Sequence, residues 1–346
     1  MSENKNSLSK INKISEEHIG KTYKNKKVLI TGGLGFIGSN IAIKLCDLGA
    51  DITIIDALIE DYGGNLFNIE PVKDRININI GDIRDESSMD YLVKDKHFIF
   101  NLAGQVSHLD SMKDPYTDLE INCRSQLSLL EACRKNNQKV KIIYAGTRQQ
   151  YGKPDYLPVD ERHIVHPIDV NGINKMAGEW YHILYSNTYG IKAVSLRLTN
   201  TYGPRQLLKH NRQGFFGWFI RKIIENEEIK IFGNGKQLRD LNYIDDVVDS
   251  FLIAGANENS FGNFYNLGSD TPISLRDLVD KMIEVNGGGS YKIVPFPEER
   301  KKIDIGDYYA DFSKIKKELF WYPKTSLEEG LAKTFKYYKK YREYYW

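Results

Sequence analysis

The sequence contains few cysteines, almost no net charge and no long apolar segment. The spacing of its three cysteines, Cys46, Cys123 and Cys133, is not that of metal ligands, so we expect reduced thiols and no bound metal. The 48 Lys and Arg residues nearly balance 46 Asp and Glu residues, which argues against nucleic acid or an anionic membrane as a partner. No apolar run approaches the roughly 20 residues of a membrane span, and the N-terminus lacks a signal-peptide core. These features predict a cytoplasmic protein.

A glycine-rich turn follows the first predicted strand. The apolar run Val28–Thr31 leads at once into Gly32, Gly33, Gly35 and Gly38, and a helical pattern begins at Phe36. Free backbone N–H groups and the positive end of a helix meet there, an arrangement that suits a pyrophosphate. The second predicted strand ends in Asp56, whose carboxylate can accept both ribose hydroxyls of an adenosine and would repel a 2′-phosphate. The pattern favours NAD over NADP.

The order of the predicted elements indicates an α/β fold. Strands are predicted at Val28–Thr31, Asp51–Ile55, Ile76–Ile80, His97–Leu102, Val140–Ala145 and Ala193–Leu198, and helices at Phe36–Leu48, Ser87–Val93, Tyr116–Lys135 and Gly172–Tyr189. This alternation predicts a Rossmann-type, doubly wound parallel sheet. We expect a polar arm over residues 1–25, an NAD-binding domain over 26–202 and a smaller α+β substrate-binding lobe over 203–346. Segments of the lobe are expected to return to the first domain.

Six short motifs, in a fixed order, carry a family resemblance. They are Thr31–Gly38, Gly81–Ile83, Leu102–Gln105, Thr147–Gly152, Arg197–Arg205 and Gly233–Asp240. Together they resemble the extended short-chain dehydrogenase/reductase family, in its nucleotide-sugar epimerase/dehydratase branch, over roughly Lys27 to Leu331. The resemblance implies a nucleoside-diphosphate sugar as substrate and a set of NAD-binding residues: Gly32, Gly35, Phe36, Ile37, Gly38, Asp56, Asp82, Ile83, Leu102, Ala103, Gly104 and Lys175.

The resemblance also implies a mechanism and a catalytic set. In the family, NAD takes a hydride from a sugar carbon while a tyrosinate, its pKa lowered by a nearby lysine, removes the hydroxyl proton. A Ser or Thr hydroxyl binds the same oxygen. Carried over to this sequence, Thr147 is that hydroxyl and Lys175 that lysine, but Asn171 stands where the tyrosine is expected. A neutral amide cannot act as the base.

Three explanations remain open for the asparagine. Another group can supply the proton path, with His108, Tyr151, Tyr202 and a water held by Asn171 as candidates. Alternatively, the chemistry occurs at a different sugar carbon, or the protein binds the cofactor or a sugar nucleotide without turnover. The retention of Thr147 and Lys175 favours an enzyme, and the catalytic candidates are therefore Thr147, Lys175, Asn171 and His108.

The residues after Thr147 bear on the class of reaction. The family's 4,6-dehydratases resemble one another in an Asp-Glu pair there, whereas this sequence has Arg148 and Gln149. Dehydration is therefore disfavoured, and epimerisation through a transient keto-sugar is preferred over net oxidation of a sugar hydroxyl. A local resemblance to CDP-tyvelose 2-epimerase, around Gly104–Val106 and Gln213–Phe219, agrees with a nucleoside-diphosphate hexose.

The remaining predictions concern substrate and assembly. The candidate substrate-binding residues are Gln105, Arg148, Asn200, Arg205, Arg239 and Arg300. A guanidinium such as that of Arg239 can grip a diphosphate with two hydrogen bonds. The two long helices, Tyr116–Lys135 and Gly172–Tyr189, are those that pair in relatives, which implies a homodimer.

Overall fold

A computed structural model describes residues 17–59, 61–301 and 303–346, without the side chains of Gln213, Glu299 and Arg300. The strands, β1 to β13 in chain order, are Lys27–Thr31, Asp51–Asp56, Asn77–Ile80, Phe98–Asn101, Lys141–Thr147, Lys192–Leu198, Asn200–Tyr202, Ile229–Phe232, Leu238–Arg239, Leu241–Tyr243, Phe264–Asn266, Ile273–Ser274 and Tyr291–Val294. The α-helices are Phe36–Asp47, Glu86–Leu92, His108–Lys113, Pro115–Leu119, Ser125–Asn136, Val170–Tyr189, Phe215–Ile224, Ile244–Ala256, Leu275–Asn286, Glu298–Lys301, Ser313–Leu319 and Leu327–Tyr341.

Seven parallel strands form the central sheet, in the order β11-β6-β5-β4-β1-β2-β3. The predicted doubly wound sheet is thereby confirmed. The strand order reverses between β1 and β4, and ligands of such sheets bind at that point, beyond the carboxyl ends of the strands. Every candidate for cofactor binding or catalysis that follows a strand of the sheet is thus brought to one edge.

The sheet is covered on both faces. Successive residues of a strand point to opposite sides, and β1 shows this directly: Val28 and Ile30 belong to one buried cluster and Leu29 to the other. The first cluster includes residues of helices Phe36–Asp47 and Ile244–Ala256, and the second residues of Glu86–Leu92 and Ser125–Asn136. Burial on both faces explains why the sequences of these strands are nearly continuous apolar runs.

The predicted helix Tyr116–Lys135 differs from the structure in one respect. The helical run begins at Pro115, after the cap Asp114, and ends at Asn136, but residues Glu120–Arg124 form a π-helical turn. Such turns insert an extra residue and are frequent at functional sites. Here the turn contains Asn122, whose amide reaches residues beside the cavity described below.

The second half of the chain forms small sheets and also adds to the first domain. β8 pairs with β13, β9 with β12, and β7 with β10, whereas β11 joins the edge of the central sheet beside β6. Residues 1–16 of the predicted polar arm lie outside the described residues, but both ends of the described part of the chain pack on the body of the protein. In the helical residues 17–23, the buried Tyr23 donates a hydrogen bond to the carbonyl of Leu252, and near the C-terminus Tyr345 donates one to Asn68.

Candidate functional site

The glycine turn after β1 forms a cradle with free backbone donors. Helix Phe36–Asp47 starts at Gly35 without a side-chain cap and without an acidic residue in its first turn. A Cβ atom on Gly38 would lie 2.3 Å from the carbonyl oxygen of Gly32, so only glycine fits there. Uncapped N–H groups at a helix start bind anions. The residues of this turn therefore fit the diphosphate of a dinucleotide.

Two carboxylates lie beyond the cradle. Asp56 accepts hydrogen bonds from the N–H groups of Leu34 and Leu58, both at 3.0 Å; burial raises its pKa above the ordinary value, and these N–H groups oppose that shift. Asp82 is held by Arg84 through hydrogen bonds that lower the pKa of the carboxyl. Both residues line the same cavity as the glycines.

This cavity, called the cofactor cavity below, brings the predicted residues together. Its walls contain every predicted NAD-binding residue and all four catalytic candidates: Gly32, Gly35, Phe36, Ile37, Gly38, Asp56, Asp82, Ile83, Leu102, Ala103, Gly104, Thr147, Lys175, Asn171 and His108. Gln105 lines it as well. Thr31 positions one wall, because its hydroxyl oxygen accepts the N–H groups of Leu102 and Ala103 at 3.0 and 3.1 Å.

Lys175 and Thr147 both line the cofactor cavity. The ammonium of Lys175 donates to the carbonyl of Ala145 at 2.7 Å and lies 4.6 Å from the centre of the Tyr144 ring. Burial lowers the pKa of Lys175 to about 8, although Asp118 and Glu179 attract its charge and oppose the shift. Thr147 ends β5, and its hydroxyl oxygen accepts the N–H of Gln149.

Asn171 belongs to a network around a buried carboxylate. Its amide donates to Oδ2 of Asp118 at 3.1 Å and to the carbonyl of Gln105 at 2.8 Å. Asp118 accepts two further amides, from Asn122 at 3.0 Å and Asn174 at 2.8 Å. Three donors around one buried carboxylate supply the hydrogen bonds that burial requires. The amide group of Asn171 thus has a structural partner, and it provides no titratable group.

His108 has a buried acid beside it. Nδ1 of His108 lies 3.0 Å from Oδ2 of Asp169, whose side chain is fully buried while that of His108 is 38% exposed. Asp169 caps helix Val170–Tyr189 by accepting the N–H of Gly172 at 2.7 Å, and it also accepts the amide of Gln149 at 2.9 Å. Burial raises the pKa of Asp169, but the His108 ring and these donors outweigh it and lower the pKa below the ordinary value.

A second cavity, called the substrate cavity, adjoins the first at His108, which lines both. Its walls combine aromatic rings with cationic side chains: Phe215, Trp218, Phe219, Phe232, Phe296, Arg212, Lys222, Lys230 and Arg239. Arg239 is nearly buried, and burial lowers its pKa to about 10. The pairing of rings and cations suits a planar base joined to phosphates.

The other substrate candidates lie in different places. Arg148 donates to Asn200 at 3.3 Å and stacks near the Tyr308 ring, and neither Arg148 nor Asn200 lines either cavity. Arg205 lies away from both, because its guanidinium donates to Asn40 and to the carbonyl of Asn68. The side chain of Arg300 lies outside the described part of the chain.

Two tyrosines considered as alternative bases lie in the core. Tyr151 is fully buried, donates to Asn266 at 2.8 Å and accepts a hydrogen bond from Arg197; burial raises its pKa to about 12. Tyr202 is buried against the rings of Phe216 and Tyr243. Neither lines the cofactor cavity.

Sequence reasoning missed Asp118 and Asp169. Asp118 lies 53 positions before Asn171, and no local pattern links them. Asp169 could have been found, because an Asp directly before a helical pattern is a typical N-cap. Among the described residues, no group of three or more His, Cys, Asp or Glu side chains could hold a metal ion. In the same part of the chain, the helices are too short or too polar to cross a membrane.

Comparisons with known proteins identify relatives of this chain. The profile of the NAD-dependent epimerase/dehydratase family matches residues 28–268. CDP-paratose 2-epimerase of Salmonella typhi is 31% identical over 340 residues, covering 89% of this chain and 98% of that protein. UDP-glucose 4-epimerase of Mycolicibacterium smegmatis is 30% identical over 317 residues, covering 90% and 98%. The crystal structure of UDP-glucose 4-epimerase from Thermotoga maritima with UDP-glucose superposes with a TM-score of 0.83 at 32% identity, covering 91% of this chain and 99% of that chain.

Proposed function

This chain belongs to the NAD-dependent epimerase/dehydratase family, and we propose that it epimerises a nucleoside-diphosphate sugar through a transient keto-sugar. The observation that carries the proposal is the junction of the two cavities at His108, which lines the cofactor cavity together with Thr147 and Lys175. A sugar whose diphosphate lies near Arg239 can extend from the substrate cavity toward that junction. The two relatives described above are named as nucleotide-sugar epimerases.

Different residues of the cofactor cavity bind different parts of NAD. The turn Gly32–Gly38 holds the diphosphate of NAD and Asp56 an adenosine ribose, while Lys175 holds the nicotinamide ribose. When bound, NAD would supply a reversible hydride acceptor for a sugar carbon. Thr147 donates a hydrogen bond to the sugar oxygen at that carbon, which favours the charge that develops on it.

Substrate recognition follows from the substrate cavity. Arg239 binds the diphosphate, and the rings of Trp218 and Phe296 provide apolar surfaces for the nucleoside base. Gln105, in the wall of the cofactor cavity, contacts the sugar. Arg148 and Asn200, which line neither cavity, stabilise the structure around the site through their mutual hydrogen bond. Dehydration is disfavoured because Gln149 and Arg148 offer no carboxylate after Thr147.

The proposal extends to assembly and location. We propose a homodimer formed through helices Ser125–Asn136 and Val170–Tyr189, because the second presents Ile173, Trp180 and Leu184 to solvent. The three cysteines are free, as is usual in the reducing cytoplasm, which supports a cytoplasmic location.

Turnover tests separate an epimerase from a protein that only binds its ligands. The purified protein is incubated with UDP-, CDP-, GDP- and dTDP-sugars while the absorbance of reduced nicotinamide is followed and products are resolved by NMR. We expect transient reduction and inversion at one carbon with at least one sugar. Binding without any reduction, and without deuterium from solvent at any sugar carbon, contradicts the proposal and favours a non-catalytic binder. Stable reduction with release of a keto-sugar indicates a dehydrogenase instead.

The Lys175→Ala variant tests the assignment of the site. Loss of the ammonium should weaken NAD binding and abolish turnover, because Lys175 lies at the reacting end of the cavity. The exposed Lys153 provides the control, since Lys153→Ala removes a lysine that does not line the cavity. Full activity of Lys175→Ala means that the site is wrongly assigned.

A further inference from the structure

The cofactor cavity offers few groups that can exchange a proton with a sugar. Its titratable side chains in the described part of the chain are Asp56, Tyr62, Asp82, His108 and Lys175. Asp82 is held by Arg84, and Asp56 lies at the glycine turn, where it accepts the N–H of Leu34. Lys175 donates to the carbonyl of Ala145. Only His108 among the five also lines the substrate cavity.

The surroundings of His108 leave one ring nitrogen available. Nδ1 lies 3.0 Å from Oδ2 of the fully buried Asp169, within ion-pair range but without the geometry of a hydrogen bond, and the nearby negative charge favours a proton on Nδ1. Nε2 then carries the lone pair in the neutral ring. Asp169 is itself fixed by Gly172 and Gln149, at 2.7 and 2.9 Å. An imidazole with one nitrogen beside a carboxylate and a lone pair on the other is the arrangement that general bases use.

We propose that His108 is the catalytic acid–base group of this chain, in place of the absent tyrosine, and that Asp169 is its positioning residue. This role rests on the proposed epimerase function. In the oxidising step, the C–H bond breaks as a hydride leaves to oxidised NAD, and the O–H bond breaks as its proton moves to Nε2 of His108. A C=O bond forms, the keto-sugar turns over in the cavity, and the reverse transfers complete the reaction on its other face. The buried charge of Asp169 stabilises the imidazolium between the two steps.

Two variants and a matched control test this role in the full-length protein with NAD bound. His108→Gln removes the titratable ring, and we expect kcat to fall by about 10²–10⁴. Asp169→Asn keeps a side-chain oxygen for the Gly172 N–H but removes the charge, so kcat should fall while KM changes little. His166→Gln is the control, because His166 is exposed and lines neither cavity. Its kcat should match that of the wild type.

Chemical rescue distinguishes proton transfer from a structural contribution. His108→Ala leaves a space that solvent can reach in place of the ring. Free imidazole in the buffer should therefore raise the kcat of His108→Ala at least tenfold. Lys175→Ala should not respond to imidazole. The absence of any rescue, together with an unchanged kcat in His108→Gln, overturns the role of His108 while the epimerase function stands. A wild type that converts no sugar overturns the epimerase function and with it this role.

A measurement without substrate tests the dyad directly. With ¹⁵N-labelled histidine, the His108 signals are identified by their absence in His108→Gln. In the neutral ring we expect the proton on Nδ1 and an unprotonated Nε2, and a shift toward mixed tautomers in Asp169→Asn. A wild-type ring with the proton on Nε2 overturns the proposal, because that nitrogen could not then accept a proton.

Discussion

At the scale of single residues, the network around Asp118 gives Asn171 a role that its sequence motif does not suggest. The buried Asp118 accepts amides from Asn122, Asn171 and Asn174, which come from two helical segments. A buried carboxylate without such donors would be costly. The asparagine therefore contributes to the stability of the cavity wall, independently of any part in the chemistry.

Replacement of Asn171 by leucine should destabilise the fold. The change removes one N–H donor from a buried carboxylate, and we expect the free energy of unfolding to fall by about 1–3 kcal/mol. Urea denaturation measures the loss. Asn187→Leu, on the same helix but exposed, is the control and should change stability by less than about 0.5 kcal/mol. Equal stability of the two variants would show that Asn171 is not needed by Asp118.

The burial of Asp240 predicts a stability that depends on pH. Burial raises its pKa to about 7, even though the Ala310 N–H and the charge of Arg148 oppose the shift. The folded state therefore holds this proton more tightly than the unfolded state, whose Asp has a pKa of about 3.9. The stabilisation is complete below about pH 4 and is lost as the pH rises toward 7.

The variant Asp240→Asn cannot ionise and should avoid this loss. Between pH 5 and pH 8 its melting temperature should rise relative to that of the wild type. The corresponding change in the free energy of unfolding is about 2–4 kcal/mol. Calorimetry at several pH values measures the difference, with the exposed Asp270→Asn as the control. If the melting temperatures of variant and wild type differ by the same amount at every pH in this range, Asp240 is already ionised in the folded protein at pH 5.

The sequence was enough to place site residues that directly follow a predicted strand. It was not enough to predict contacts between residues far apart in the chain. The glycines and Asp56 follow directly from strands, so their place at the carboxyl edge of the sheet could be predicted. The contact of His108 with Asp169 depends on how two helix starts pack together, and it spans a separation that local patterns do not encode. His108 was therefore a candidate without a known partner.

At the scale of elements, a cluster of ion pairs joins the loop after β2 to the segment before helix Phe215–Ile224. The carboxylate of Asp61 lies 3.3 Å from both Lys209 and Arg212 and 3.5 Å from His210. The loop contributes Ile59 to the cofactor cavity, while Arg212 lines the substrate cavity. The ion pairs thus hold together two segments that each form part of a cavity wall.

Loss of this link should open the segment 209–212 to proteases. In Asp61→Asn the attraction is lost, and we expect trypsin to cleave after Lys209 and Arg212 about two- to fivefold faster, since exposed ion pairs are individually weak. High salt should raise the wild-type rate toward that of the variant because it screens the charges. Asp155→Asn, at another exposed position, is the control. Identical cleavage of Asp61→Asn and wild type means that the ion pairs do not restrain the segment.

Elements were predicted best where both faces of a strand are buried and least well where a helix departs from regular geometry. β1, β2 and β6 begin or end within a residue or two of the predicted bounds. The π-helical turn Glu120–Arg124 was missed, because the apolar spacing on either side of it fits one continuous helix. The turn depends on tertiary hydrogen bonds such as that of Asn122, which periodicity cannot show.

At the scale of the whole molecule, two neighbouring helices expose large apolar side chains on one surface. Ile173, Trp180 and Leu184 lie on one face of helix Val170–Tyr189 and are 48%, 45% and 51% exposed. Tyr116 and Leu119, on the helical run that packs beside it, are 78% and 41% exposed. An apolar surface shared by two neighbouring helices is typical of a protein–protein interface.

Self-association through this face would bury these side chains, so we expect the wild type to sediment as a dimer. Leu184→Asp places a charge within this face, where burial would be costly, and should shift the protein to a monomer at micromolar concentration. Leu66→Asp, at an equally exposed leucine away from both helices, should stay dimeric. Analytical ultracentrifugation of the three proteins, with circular dichroism to verify folding, measures the outcome. A dimer that persists in Leu184→Asp would place the interface elsewhere, and a monomeric wild type would mean that these side chains remain in solvent.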